Sequence, residues 1–177
     1  VNPMQIRQTL FLLLSLTLLV GCDNRSPMAR RIESLPGLVA YWDFQGEDHL
    51  RSKGNVEATL RGEGGSLPAL VDEGPVSGRS LRFDGDDYLY IPYAETSGLN
   101  VQSGEVTVVA WVKWTAEQIG FVAGMWNEYE DGGKRQYGLF VSLPHYNGAN
   151  QVCGHISRTG KPTPPFPYSI DYSASPQ

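Results

Sequence analysis

The sequence predicts an all-β protein built from two packed antiparallel sheets, on three observations. Past residue 37, apolar and polar residues alternate at strand spacing, most clearly over residues 105–114. Twenty glycines and twelve prolines interrupt the chain of 177 residues, which suits short strands joined by turns and not a helix bundle. Beyond residue 22, no stretch of ten or more residues keeps a clean helical period. The length allows one domain with a tail. An aromatic fraction of 11% with only 19% charged residues excludes a globally disordered chain. Fourteen Lys+Arg against 19 Asp+Glu give a net charge of -5 with no basic block, which argues against a nucleic-acid partner. Two cysteines cannot make a disulfide scaffold or a four-thiolate zinc site.

The chain opens on an address. Arg7 gives a basic start, and residues 10–20 form an apolar run interrupted only by Ser15 and Thr17. The run is shorter than the ~20 residues that cross a bilayer as a helix. It fits the apolar region of an export signal. Leu19, Val20 and Gly21 stand directly before Cys22, an order that resembles the lipobox of bacterial lipoprotein signals. The resemblance implies that residues 1–21 are cleaved and that Cys22 becomes the acylated N-terminus. Three acyl chains would then hold the protein to a membrane of the bacterial cell envelope, where one chain holds only marginally. The alternatives are an ordinary signal peptide with a chance cysteine and a buried core helix. Val1, Asn2 and Pro3 look like an upstream start, with Met4 as the true one. The lipidated Cys and a tether make up residues 22–36, with Pro27, Pro36 and no period. Fully extended, residues 23–36 would span about 50 Å.

The strands follow in order. Residues 38–44 are aromatic and β-branched, with Leu38, Ala40, Trp42 and Phe44 on one apolar face. Residues 57–61 give a short second strand, and a Gly/Pro-rich loop covers 62–78. Residues 79–83 and 88–91 are expected to pair as a hairpin around Asp84, Gly85, Asp86 and Asp87, with Leu81 and Phe83 inward. Residues 105–114 are the strongest strand, with Val106, Val108, Ala110, Val112 and Trp114 on one face. Strands over 120–126, 136–142 and 151–156 complete the set.

Three blocks carry a further resemblance: residues 37–44, residues 78–92 and residues 106–113. They are similar, in order and spacing, to laminin-G-like, concanavalin A-like jelly-roll domains. The resemblance covers about residues 37–157 and implies an antiparallel two-sheet jelly-roll sandwich over 37–160. That fold hosts lectins, adhesion modules, pentraxins and glycosidases, so it says little about function. Such domains continue with further strands. Residues 161–177 are therefore expected to be a Pro-rich tail or the truncated remainder of the domain. A C-terminally incomplete sandwich would leave edges and apolar surface uncovered.

Aromatic rings stack on the C–H faces of sugars while nearby amides fix hydroxyls. Trp126, Tyr129, Tyr137, Tyr146 and Asn147 are the candidate ligand contacts on that basis. Asp84, Asp86 and Asp87 offer oxygen ligands to calcium, the one cofactor the sequence suggests, although Asp and Gly are also ordinary turn residues. Glu128, Glu130 and Asp131 are the dense carboxylate cluster. A glycosidase needs two carboxylates facing each other across a sugar, and this run does not match that of laminarinase-like relatives. A solvated loop is the stronger reading of it. Cys153 and His155 share a strand face, but a metal would need further ligands. The expected role is non-catalytic binding or adhesion at the envelope, toward a glycan or a protein, with the membrane as partner through the lipid anchor. The alternatives are a glycoside hydrolase of concanavalin A-like fold and a degenerate structural module without ligand.

Overall fold

The computed structural model describes residues 25–101, 104–114, 119–127, 135–143, 148–157, 160 and 173–174. Cys22, with the residues read above as an export signal, lies outside them, as do residues 161–172. Among the described residues the chain is mostly strands in small antiparallel sheets, with one short helix and three 3-10 turns.

The helix, α1 (Pro27–Glu33), falls where an irregular tether is expected. Its start is set locally. The Ser26 hydroxyl accepts from Ala29 N at 3.0 Å, and Pro27 supplies a preset first-turn dihedral. Seven residues are too few for a helical period to stand out, and an isolated helix this short is not stable in water. Docking is what holds it. Ala29 is only 1% exposed, the Ser26 hydroxyl also donates to Val76 O, and Glu33 faces Lys53. The tether reading is corrected over residues 27–33.

Strand 38–44 shrinks to an isolated bridge of Tyr41 with Lys53, and strand 57–61 to a bridge of Thr59 with Arg51 and to Arg61, which opens the next strand. Phe44 has a φ of 56°, which turns the chain out of the extended region. The Trp42 indole donates to Leu50 O at 3.0 Å. Two ribbons follow. β1 (Arg61–Gly62) pairs with β4 (Leu89–Tyr90), and β2 (Ala69–Val71) pairs with β3 (Ser80–Arg82). The expected hairpin of 79–83 with 88–91 is thus not formed. The apolar trio Ala69, Leu70 and Val71, hidden in a loop-like stretch, takes residues 80–82 instead. Phe83, expected inward, is 49% exposed.

Residues 105–114 form no strand. Val109, Trp111 and Val112 are exposed. Alternation prepares a strand, but only a paired ladder satisfies its backbone, and among the described residues none pairs with this one.

The largest sheet runs β5–β6–β7–β8, all antiparallel: β5 (Gly120–Met125), β6 (Tyr137–Leu143), β7 (Gly148–Ile156) and β8 (Ser173–Ala174). Register breaks fall between Phe121 and Ala123 and between Val141 and Leu143, where Ser142 takes a φ of 56°. Half of the buried apolar side chains among the described residues, Phe140, Val141 and Cys153, belong to this sheet; Ala29, Ala58 and Leu99 lie elsewhere.

Candidate functional site

Opposed residues of an antiparallel pair share a face. Phe121, Phe140 and Cys153 are therefore on one side of the large sheet, with Gly124, Gly138 and His155. Glycine at 138 makes room for rings, because a Cβ there would come within 2.6 Å of the Phe140 ring. Trp126 lies against this side. Phe140 meets it edge-on with centroids 5.2 Å apart, the His155 ring is 4.5 Å away, and the Arg135 guanidinium carbon is 5.3 Å from its centroid. His155 is 6% exposed. Burial, and then the charge of Arg135, pushes its imidazole down to about 4, so it is neutral at physiological pH.

Trp126, a candidate sugar contact, is thereby half-buried against packing partners. Tyr137 lies on the opposite side of the sheet, opposed to Met125 and Ile156. Its hydroxyl donates to Leu99 O at 3.1 Å, and burial raises its phenol above the ordinary value. The sheet separates these two candidates instead of joining them. Tyr129, Tyr146 and Asn147 lie outside the described residues, as do Glu128, Glu130 and Asp131. Cys153 and His155 do share a face, as expected, and both are buried. Among the described residues they join no group of three metal-ligating side chains.

The acidic turn does gather its carboxylates. Ligand oxygens of Asp84, Asp86 and Asp87 lie within 4.8 Å of one another. The Asp87 carboxyl is held above the usual range, first by a hydrogen bond with the Asp84 side chain, then by partial loss of water and by neighbouring charge. Three carboxylates could supply half of the 6–8 oxygens that calcium takes, with water completing the shell.

A different surface combines exposure with mixed chemistry. Tyr88 and Tyr90 stand on one side of the β1–β4 ribbon, two residues apart, with ring centroids at 6.1 Å and planes at 48°. They are 47% and 42% exposed, and Tyr93, just beyond, is 87% exposed. Arg61 is directly opposite Tyr90 and pairs with Glu95 at 2.6 Å. Glu63 hydrogen-bonds the Tyr88 side chain, the main reason this phenol titrates above its ordinary value. Two open rings, a guanidinium and two carboxylates thus share one ribbon. The spacing of Tyr88 and Tyr90 puts both on one side of any strand; the pattern alone does not reveal that this side stays open.

No family model, curated protein or solved structure matches the chain. The tyrosine ribbon must be judged by its own chemistry. Open ring faces suit the apolar faces of pyranoses, and the flanking charged groups suit hydroxyls.

Proposed function

We propose that the chain is an exported, lipid-anchored binding module of the bacterial cell envelope that recognises a glycan without transforming it. The single observation supporting this is the pair of exposed rings, Tyr88 and Tyr90, beside Arg61, Glu63 and Glu95. Flat aromatic surface costs little entropy to present, since each ring turns on two torsions, and charged neighbours can hydrogen-bond sugar hydroxyls on both sides of it. The finer fold, a laminin-G-like jelly roll over residues 37–160, belongs to the same proposal. Antiparallel pairing in every sheet of the described residues supports it. Calcium at Asp84, Asp86 and Asp87 would brace the turn that leads into Tyr88. The export and anchoring part rests on residues 4–22 of the sequence.

The test is co-sedimentation with insoluble polysaccharides and with cell-wall preparations. The intact protein should be retained on at least one of them, and Tyr88→Ala with Tyr90→Ala should lower retention about tenfold or more, the scale of two lost stacking contacts. Retention unchanged in the double variant would refute the assignment. Release of reducing sugar during the incubation would replace binding by hydrolysis.

A further inference from the structure

From the placement of α1 we infer that its outward side is a membrane-contact surface for anionic phospholipid headgroups. This rests in part on the export and anchoring reading above, because it gives the helix a membrane to meet. Ala29, 1% exposed, marks the side turned to the body. Each residue advances the helix by about 100°, so Arg31 lies nearly opposite Ala29, with Met28 and Arg30 flanking. Arg30 and Arg31 are exposed, Met28 is 49% exposed, and Leu35, just past the helix, is 52% exposed. The one acidic residue of the helix, Glu33, turns inward, with side-chain exposure of 19%, toward Lys53 and Arg25.

The outward side is thus apolar and cationic with no carboxylate, in a chain of net charge -5. That combination is what an interfacial helix presents to an anionic bilayer. Its position fits as well. Only residues 23–26 separate Cys22 from Pro27, so the extended chain would reach at most about 17 Å between them. A docked α1 then holds the body close to the lipid surface with this side down, where a free tether of residues 23–36 would let it swing. The short reach supplies proximity, and the arginines supply orientation.

The experiment uses the full chain produced in an exporting bacterium and reconstituted into vesicles. A fluorophore at Leu35→Cys, and separately at Tyr93→Cys, reports quenching by lipid-attached nitroxide. The Leu35 label should be quenched in phosphatidylglycerol vesicles, and the Tyr93 label should not. Phosphatidylcholine vesicles, or Arg30→Glu with Arg31→Glu, should reduce the Leu35 quenching about threefold or more, since each basic side chain adds attraction near an anionic surface. Equal quenching at both labels, or quenching indifferent to lipid charge, overturns the inference. Labelled palmitate, followed in the same preparations with Cys22→Ser as control, reports anchoring separately. A chain that takes up no palmitate but keeps charge-dependent quenching at Leu35 refutes the anchor and supports the membrane-contact surface.

Discussion

His155 offers a prediction whose size can be worked through. Its imidazole titrates near 6.5 when solvated and is pushed down to about 4 in the fold, chiefly by burial beside Trp126 and then by the charge of Arg135. A depressed histidine favours the native state while neutral, so its contribution is complete above pH 6.5. Below that, the unfolded chain binds the proton and the folded one does not, and stability falls until the folded group also titrates near 4. Between about pH 7.5 and pH 5 the loss comes to about 2 kcal/mol for this one group. Most carboxylates remain ionised over that window, which separates the effect from general acid denaturation. Urea unfolding, monitored by tryptophan fluorescence at both pH values, measures it. His155→Gln should remove most of the dependence while costing stability at neutral pH. An equal pH dependence in wild type and variant would refute the reasoning, as would a wild-type loss below about 0.5 kcal/mol.

Further tests address the rest of the fold. Lys53 pairs with Asp43, whose side chain is 3% exposed, while Lys53 itself is 35% exposed. Lys53→Ala should therefore cost about 2 kcal/mol, less than a fully buried pair, and a cycle with Asp43→Ala should recover part of it as coupling. Gly124 has a φ of 153°, and a Cβ there would stand 2.3 Å from Tyr137 O; Gly124→Ala should cost more than about 2 kcal/mol and open the β5–β6 pairing to hydrogen exchange. Gly85 has nothing within 4 Å of an added Cβ, but its φ of 108° strains any L side chain, so the same change should cost about 1–2 kcal/mol from the backbone alone and leave the sheet pairing closed. Adding calcium should raise the midpoint of thermal unfolding, with Asp84→Asn and Asp86→Asn removing the gain; a midpoint indifferent to calcium and chelator leaves an ordinary turn.

Legibility in the sequence followed the physical basis of each element. The strands at 120–126, 136–142 and 151–156 emerge close to their observed bounds because each is a short apolar run with its partners nearby in the chain. β8 is a Ser-Ala pair with no pattern of its own, and its placement comes from Cys153 and Val152 opposite it. α1 escapes because its stability comes from docking and a cap, not from a period. Residues 105–114 show the converse, since their alternation is clear but a partner strand is what converts alternation into a ladder. At the site, composition singled out Trp126 without showing that Phe140, His155 and Arg135 would pack against it. Tyr88 and Tyr90 were legible as neighbours on a strand, but their exposure depends on β4 pairing back to β1.

The most direct measurement is a titration of the protein, carrying isotope-labelled tyrosine rings, with a soluble oligosaccharide cut from whichever polysaccharide retains it. The ring signals of Tyr88, Tyr90 and Tyr93 should shift together and saturate, while Tyr137 and Tyr41 stay in place. Saturable shifts confined to Tyr137, or saturable binding that leaves every ring of the ribbon unmoved, would contradict the account.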